Sequence, residues 1–594
     1  MSNYEIVWDL TQLVESETPE FIIKQLNSMV TEAEDFRTKY NDKICNFEAK
    51  ELLELLEFQD MFYLKFEGVT LYCRLIYSAN STSTVAKQLN NIARKASMKV
   101  RQSLAFLNTE IGELLVKKPG LISDLILSEY KHYLERIYRR QPHMLSEKEE
   151  RLTILKDRNG IRAWQMLQGD WLSTRMFNIE IDGKIKTLPY GEIIGLYEDH
   201  NRDLRKQANQ VVYENLGKDE ILWASAVRAI CADHLRMCEL RKYSMPITQS
   251  LIANDVDWQA INSLMNAVES NVGLYQRYLR LKAQLMGLDK LANYDIVAPL
   301  PSEKKYPWIL ARKEVTTAYT DFDKELGSWV DEMYEYRHID GEVRKGKRSG
   351  AFCSRWLAGK SAYILQSYNE KIGDVYTQAH ELGHAVHAYL SSRAQKPSNN
   401  QIGSCIAECG SVFGELLLTE HLIEQAETKD EKQVVLVNLL DEFGMAAFQV
   451  SARFFFEQSM YDSIERGEFL DGETVANLWT SARDKIYGDT VDWLEVMKWE
   501  WTMKIHYYIP NYRFYNYPYI FAWLFVFALY STYKEEGRQF VPKLKTFLSS
   551  GSSKSPHELG LELGLDINDE KFWEKGLKQA EEFIDLLEET LAHA

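Results

Sequence analysis

The sequence predicts a mostly α-helical protein, and its scarcity of turn-forming residues is the first reason. The 594 residues include only 30 glycines and 13 prolines, well below the roughly 12% that these two residues contribute to an average protein. Hydrophobic residues make up 45% of the chain and charged residues 26%, a composition that supports a large buried core rather than disorder. Long helices joined by few tight turns account for both the low Gly and Pro content and the high hydrophobic content.

Amphipathic periodicity is the second reason. Apolar side chains recur at intervals of three and four residues in the first third of the chain, for example over residues 50–58 and 104–117. This spacing is typical of the buried face of a packed helix. The same pattern continues over residues 274–285, and Gly287 is expected to end that helix. We therefore expect an N-terminal helical domain over residues 1–200.

Charge and hydropathy exclude several classes of protein. The net charge of −17 argues against nucleic acid as the main partner, because phosphate binding requires a positive surface. Residues 1–10 show neither the basic flank nor the apolar stretch of a secretory signal. The longest apolar run, residues 519–530, is too short to span a membrane and is interpreted as a buried helix. We therefore expect no membrane partner and a cytoplasmic location.

The cysteines support the same location. The chain has seven cysteines at scattered positions, and an odd, scattered set is unlike a disulfide framework. Cys405 and Cys409 are four residues apart but have no second close pair, so we interpret them as small buried side chains rather than zinc ligands.

A short β element is expected before the most informative part of the chain. Residues 341–350 contain three glycines and several basic residues, which predicts an exposed loop. Residues 351–356 and 362–367 have strand-like composition. Asp374 can then cap a helix that continues towards Leu390.

This helix carries the motif His380-Glu381-Leu382-Gly383-His384. Residues four apart on a helix project from one face, so both imidazoles can bind one metal ion. Glu381 is close enough to accept a proton from a metal-bound water. The motif therefore predicts a zinc-dependent hydrolase of peptide bonds with Glu381 as the general base.

The third metal ligand has to come from further along the chain. The metzincin pattern requires a glycine and a histidine where this chain has His387 and Leu390, so that class is excluded. Residues 382–407 contain no Asp or Glu, and Glu408 is the first acidic residue after the motif. A carboxylate on an apolar helix face is costly unless it binds a metal or a partner. We predict Glu408 as the third ligand and rank His421 below it.

Two further features complete the expected metal site. Glu415 lies seven residues after Glu408, on the same helix face, and is expected to orient a ligand through a hydrogen bond. Two histidines and one glutamate leave a fourth position open for water, which is typical of catalytic rather than structural zinc. One Zn²⁺ ion is therefore the expected cofactor.

An aromatic segment near the C-terminus is the second candidate site. Residues 506–523 include six tyrosines and are interrupted by Pro510 and Pro518, so part of the segment is expected to be a loop. His506 and one or two of the tyrosines are candidates to donate hydrogen bonds to a tetrahedral intermediate. The alternative is a segment that only packs aromatic rings.

Three segments resemble a known family of enzymes. Residues 373–392, 406–417 and 506–519 are similar, in order and spacing, to the thimet oligopeptidase-related zinc peptidases of peptidase family M3, in particular the oligoendopeptidase F branch. Residues 346–356 and 8–10 resemble that branch too. The family often has a glycine where this chain has Ala522 before Trp523, so the register of the tyrosines is left open.

The resemblance implies a fold and a substrate. It implies a mostly α, two-lobed helical zincin-type metallopeptidase with a small β-sheet beside the active-site cleft, in which that sheet pairs with the substrate backbone. It implies a channel that admits short unfolded peptides. The catalytic domain would cover residues 201–594, with active-site helices at about 374–425 and the tyrosine-rich loop at about 506–523.

The resemblance also implies roles for single residues. Its metal ligands would be His380, His384 and Glu408, and its general base would be Glu381. The oxyanion donors would be His506 and a tyrosine, with Tyr517 preferred and Tyr515 next.

Two other functions are compatible with the same residues. One is a carboxypeptidase or dipeptidyl carboxypeptidase that uses the same zinc site. The other is a catalytically silent helical peptide-binding protein, against which the presence of Glu381 between the two histidines counts. The basic residues 344–348 either attract the carboxylate end of a peptide or form a solvated loop.

Overall fold

The structure is a computed structural model that describes residues 6–301 and 304–592. Residues 1–5, which belong to the segment where no secretory signal is expected, lie outside the described residues. The described part is mostly helical, as the sequence predicts. Its helices are α1 (Pro19–Tyr40), α2 (Ala49–Ala79), α3 (Thr84–Ser103), α4 (Phe106–Lys117), α5 (Lys131–Arg140), α6 (Glu147–Asn159), α7 (Arg162–Thr174), α8 (Tyr190–Gly195), α9 (Arg202–Lys218), α10 (Glu220–Arg241), α11 (Thr248–Asn254), α12 (Trp258–Ser270), α13 (Val272–Leu285), α14 (Trp308–Phe322), α15 (Lys324–Glu335), α16 (Ile372–Ala394), α17 (Ser404–Ala407), α18 (Cys409–Gln425), α19 (Lys429–Phe443), α20 (Val450–Glu465), α21 (Gly472–Tyr487), α22 (Tyr517–Glu536), α23 (Phe540–Ser549), α24 (Pro556–Glu562) and α25 (Glu570–Ala592).

The strands of the described residues are short and form three small sheets. They are β1 (Met176–Ile181), β2 (Lys184–Pro189), β3 (Leu291–Ala292), β4 (Ile339–Asp340), β5 (Phe352–Trp356), β6 (Ser361–Leu365) and β7 (Val491–Asp492). β1 and β2 pair antiparallel, and β3 pairs with β7 in parallel. In the third sheet β6 lies between β4, which is parallel to it, and β5, which is antiparallel. β5 and β6 confirm the two strands expected in this part of the chain.

The chain divides into two compact units, each assembled from three separate stretches. The first unit comprises Met1–Gln141, Lys304–Glu424 and Thr532–Leu565, and the second comprises Pro142–Glu303, Gln425–Ser531 and Asp566–Ala594. These units differ from the expected division at residue 200. Each unit is held together by packing between stretches that are far apart in sequence, and the spacing of residues within one helix does not reveal such packing.

The core of the first unit joins the N-terminal helices to the central sheet. Leu26 of α1, Phe66 of α2 and Leu89 of α3 belong to one buried apolar cluster. Tyr363 and Leu365 of β6 belong to the same cluster. The sheet of β4, β5 and β6 therefore packs against the N-terminal helices. This packing positions β5, which is the edge strand of that sheet.

The loop before β5 is less exposed than the sequence suggests. The Arg344 guanidinium forms two hydrogen bonds with the Asp340 carboxylate, at 2.6 and 2.8 Å. The Lys347 side chain is 1% exposed and lies 2.7 Å from Asp340 Oδ1. Two of the basic residues expected on a solvated loop are thus neutralised inside the fold, because a buried carboxylate on β4 requires cationic partners.

The long apolar segments are buried, as expected of core helices. Residues 520–530 of α22 are each 8% exposed or less, whereas Tyr519 is exposed. The buried helix predicted for residues 519–530 is therefore confirmed from residue 520 onwards. In the described chain, α19 and α20 are joined by a π-helical turn, Gly444–Gln449, into one helix over residues 429–465. This helix is long and apolar enough to cross a membrane, but 61% of its apolar window is buried. A core helix of a globular protein passes the same test.

Candidate active site

The first unit brings the histidine motif together on α16. The Asp374 carboxylate accepts hydrogen bonds from the backbone N–H groups of Asn369 and Lys371, at 2.8 and 2.9 Å. Asp374 is therefore the third residue of the helix start rather than the cap itself, which is Lys371. This arrangement satisfies the backbone donors of the cap residue and of Asn369 before it, and it fixes the start of α16. His380, Glu381 and His384 follow two to three turns later.

Two glycines allow α16 and α18 to touch through their backbones. A Cβ atom on Gly383 would lie 2.2 Å from the carbonyl oxygen of Gly410, and a Cβ on Gly410 would lie 2.4 Å from that of Gly383. Only hydrogen fits at both positions. This contact brings Glu408, at the junction of α17 and α18, within reach of the two histidines.

His380, His384 and Glu408 form the group of described residues that could hold a metal ion. Their ligand atoms all lie within 4.8 Å of one another. Glu408 Oε2 lies 3.4 Å from His380 Nε2 and 3.2 Å from His384 Nε2. Ligand atoms about 2.0–2.2 Å from a tetrahedral Zn²⁺ ion are separated by about 3.4 Å. The two distances to Glu408 therefore match the spacing expected around a zinc ion.

The second nitrogen of each histidine is already occupied. His380 Nδ1 lies 2.5 Å from Glu415 Oε1, and His384 Nδ1 lies 3.1 Å from the carbonyl oxygen of Ala407. An N–H at each Nδ1 leaves the lone pair on Nε2, on the side of Glu408. The placement of Glu415 supports the orienting role expected from the sequence.

The charges of His380 and Glu408 depend on each other. Burial raises the pKa of Glu408, but the hydrogen bonds of the two imidazoles lower it well below its usual range. Burial lowers the pKa of His380, but the hydrogen bonds to Glu408 and Glu415 raise it well above its usual range. The carboxylates thus provide the negative charge that a divalent cation requires.

Glu381 lies beside the metal ligands and is left without a partner. It is 7% exposed, and its Oε2 has no hydrogen bond to any described residue. Burial raises the pKa of the Glu381 carboxyl, and His380 and His384 offset part of this effect. A buried carboxylate with a free oxygen is expected to be functional, because leaving it unpaired costs stability.

The rival ligands from the sequence are used elsewhere. His421 Nε2 lies 2.6 Å from Glu314 Oε2, and His421 is not part of the metal-binding group. Cys405 and Cys409 are fully buried free cysteines, as predicted. His387 is buried, and burial lowers its pKa to about 3, so its ring is neutral.

The aromatic segment lies in the second unit, partly in a loop as expected. A short 3₁₀ helix covers Ile505–Tyr508, and α22 begins at Tyr517. The ring of Tyr515 lies 5.0 Å from that of His506 and 4.8 Å from that of Tyr512. The Tyr515 hydroxyl makes no hydrogen bond with the described residues and is therefore available to a ligand.

Tyr517, the tyrosine preferred from the sequence, is fully buried. Its hydroxyl lies 3.2 Å from Ser250 Oγ and 3.1 Å from Asn254 Nδ2. These contacts hold the start of α22 against α11. Burial lowers the pKa of His506 to about 4, with Arg453 and Lys504 acting in the same direction, so the imidazole is neutral.

Comparison with known proteins identifies the family. A family model described as Peptidase family M3 matches residues 196–579, and one described as Oligopeptidase F matches residues 120–173. The chain belongs to peptidase family M3. The chain is 26% identical to oligopeptidase PepF of Bacillus subtilis, over 93% of this chain and 83% of that protein. It is 24% identical to group B oligopeptidase PepB of Streptococcus agalactiae, over 98% and 97%.

A solved structure confirms the fold of this M3 peptidase. The present structure matches the crystal structure of a protein from Chlamydophila abortus with a TM-score of 0.88 and 21% identity, over 99% of both chains. The mostly helical metallopeptidase fold implied by the sequence motifs is therefore correct.

Some features beside the candidate residues are not predicted by the sequence. The Gly383–Gly410 contact and the Ala407 carbonyl are backbone features, so no side-chain pattern reveals them. Tyr512 and Tyr519 were not singled out among the tyrosines, although both rings lie beside Tyr515. A signal was available for Gly410 and Gly414, because two glycines within an apolar helix are unusual.

Proposed function

We propose that this M3 peptidase is a zinc-dependent oligoendopeptidase that hydrolyses internal bonds of short, unfolded peptides. The observation that carries the proposal is the set of His380, His384 and Glu408 at tetrahedral spacing, with the unpartnered Glu381 beside it. The names oligopeptidase and oligoendopeptidase F, carried by relatives of this chain, support the substrate class.

The chain's own residues would divide the work as follows. His380, His384 and Glu408 would hold zinc, which supplies a Lewis acid that polarises the scissile carbonyl and lowers the pKa of a water molecule. Glu381 would accept a proton from the attacking water and return it to the departing nitrogen. Burial raises the pKa of Glu381. A carboxyl with a pKa closer to the working pH both accepts and returns a proton more readily.

His506 and Tyr515 are proposed as donors to the developing oxyanion. A neutral imidazole and a hydroxyl without a hydrogen-bond partner among the described residues are suited to this task. Tyr517, with its hydroxyl between Ser250 and Asn254, is proposed to position this loop rather than to contact substrate. β5, which is paired on one side only within its sheet, is proposed to bind the substrate backbone.

A cytoplasmic enzyme that acts on peptides is consistent with seven free cysteines. The carboxypeptidase alternative makes a different demand on the substrate, because it requires a free C-terminal carboxylate. Peptides blocked at both ends therefore separate the two activities, and cleavage of their internal bonds supports the endopeptidase.

The decisive experiment replaces Glu381 without removing a metal ligand. Glu381→Gln is expected to bind zinc stoichiometrically while turnover falls by about 10²–10⁴, the usual contribution of a general base. Glu424→Gln, an exposed residue at the end of α18, is the matched control and should behave as wild type. Zinc is measured by elemental analysis and cleavage by mass spectrometry of blocked peptides. Turnover above a tenth of wild type would contradict the role of Glu381.

A further inference from the structure

A large cavity in the first unit has a strongly positive lining. It lies between α2, α3 and the loop before β5, and its volume is about 1120 Å³. Sites for small ligands usually measure about 300–1,000 Å³, so this cavity has room for several residues of a peptide. The cationic residues of the lining are Arg74, Arg94, Lys95, Arg101, Arg348 and Arg355.

The six cationic side chains are exposed, and the Glu67 carboxylate acts electrostatically on two of them, Arg74 and Arg355. Glu67 is the one carboxylate of the described lining. Its two oxygens accept hydrogen bonds from the backbone N–H groups of Leu357 and Ala358, at 3.0 and 2.8 Å. No ion pair between described residues includes any of the six cations. A cluster of one sign is unusual in a chain with a net charge of −17, and its positive potential attracts anions.

The fold holds the cluster in place. α3 contains five Lys or Arg residues and no Asp or Glu, and Arg94, Met98 and Arg101 line the cavity from one face of it. The loop is fixed to the end of α2, since Arg348 N–H donates to the Ser78 carbonyl at 2.9 Å. The Arg348 guanidinium also lies 5.2 Å from the centre of the Phe352 ring.

The cavity lies next to β5, the edge strand that is proposed to bind the substrate backbone. Arg355 belongs to β5, and Arg348 and Ser349 directly precede it. β5 also packs against α16, which carries the metal-binding histidines. A peptide paired with β5 would therefore extend along this positive lining.

We infer that this cavity binds carboxylates of the bound peptide, so that the enzyme prefers acidic oligopeptides. The inference rests on the proposed function, because it takes β5 as the strand that binds substrate. The carboxylate can come from an Asp or Glu side chain or from the C-terminus of the peptide. Arginine guanidinium groups suit both, since they bind carboxylates through two parallel hydrogen bonds.

The test compares peptides that differ in one charge. Short peptides with a blocked N-terminus carry Glu or Gln at one position, and each sequence is prepared with a free or an amidated C-terminus. Wild type is expected to show a kcat/KM about three- to tenfold higher for the charged form, mainly through KM, as for a partly solvated charge-assisted contact. A preference for Glu over Gln assigns the side chain, and a preference for the free acid over the amide assigns the C-terminus.

Variants connect the preference to the cavity. Arg94→Gln and Arg348→Gln are each expected to remove most of the three- to tenfold preference and to leave the neutral, amidated peptide unaffected. Lys99→Gln changes the same charge on the exposed part of α3 outside the lining, and it should retain the preference. Equal loss in Lys99→Gln would show a general effect of net charge and overturn the inference.

The remaining outcomes separate the inference from the proposed function. Hydrolysis of all peptides at equal rates would leave the endopeptidase in place and overturn the carboxylate site. If no peptide is hydrolysed, the proposed function fails, and fluorescence anisotropy of the labelled Glu and Gln peptides tests the cavity directly. Equal binding of the Glu and Gln peptides, together with equal binding of their free-acid and amidated forms, would then overturn the site, and so would displacement of all of them by a single-stranded oligonucleotide.

Discussion

The proposed metal ligands of this peptidase are held in place by hydrogen bonds to neighbouring side chains. Glu415 is 6% exposed, and its carboxylate fixes the His380 ring, while Ser411 Oγ donates to Glu408 Oε2 at 2.9 Å. A ligand held in its binding orientation loses less side-chain entropy when the metal arrives. The site therefore depends on residues that do not touch the metal.

The third ligand can be tested against its rival with two variants. Glu408→Ala is expected to weaken zinc binding by more than about 100-fold, since the loss of an outer partner alone costs about 10–100-fold. His421→Gln should bind zinc as wild type does, because His421 interacts with Glu314. Competition with a chromogenic chelator measures both affinities. Stoichiometric zinc in Glu408→Ala would transfer the ligand role to another residue.

The tyrosine assignment makes a second prediction for single residues. Tyr515→Phe is expected to lower kcat by about 10²–10³, the usual value of one oxyanion donor, while zinc content and the unfolding midpoint stay unchanged. Tyr517→Phe should instead lower stability, because Ser250 and Asn254 lose a buried partner. A large loss of kcat in Tyr517→Phe at unchanged stability would return the donor role to Tyr517.

At the scale of elements, the site depends on how closely α16 and α18 approach. The sequence predicted both helices, because the i, i+4 histidines and the apolar run around Glu408 have helical spacing. It did not predict their contact, since the approach of two backbones is set by the absence of side chains at Gly383 and Gly410. The sequence indicated that part of the tyrosine-rich segment is a loop, and the family resemblance preferred Tyr517. Neither shows which tyrosine hydroxyl is buried.

The helix contact gives a prediction with a control on the same helix. Gly383→Ala is expected to destabilise the protein by about 1–3 kcal/mol through overpacking and to weaken zinc binding by moving α18. At Gly373, in the first turn of α16, an added Cβ meets no atom within 4 Å. Gly373→Ala should therefore be neutral or stabilise by up to about 1 kcal/mol. Urea unfolding and chelator competition measure the two effects, and equal behaviour of the variants would contradict the contact.

At the scale of the whole molecule, neither compact unit is continuous in sequence. The Lys304–Glu424 stretch carries the proposed metal ligands and packs with residues from Met1–Gln141 and Thr532–Leu565. Composition and periodicity predicted the helical class, but the pairing of distant stretches depends on side-chain shape and could not be predicted. The same long-range packing buries polar groups in both units, including His338 in the first and His234 in the second.

These two histidines predict a loss of stability in acid. Burial lowers the pKa of each to about 4 from an ordinary value of 6.5, and in His234 the charge of Arg513 adds to the effect. The unfolded chain therefore binds protons that the folded protein excludes. Their contribution to stability is complete above about pH 6.5 and is lost as the pH falls from there towards about 4, by up to about 1.4 kcal/mol per pH unit for each histidine.

The prediction is tested by the pH dependence of unfolding. The urea midpoint, followed by tryptophan fluorescence, should fall between about pH 7 and pH 5, and the fall should be smaller in His338→Gln because one excluded proton is removed. His200→Gln replaces an exposed histidine and should keep the wild-type slope. Protons taken up by the metal-binding histidines are common to all three proteins, so the difference between variants isolates His338. An identical slope in His338→Gln and wild type would show that His338 is protonated in the folded protein.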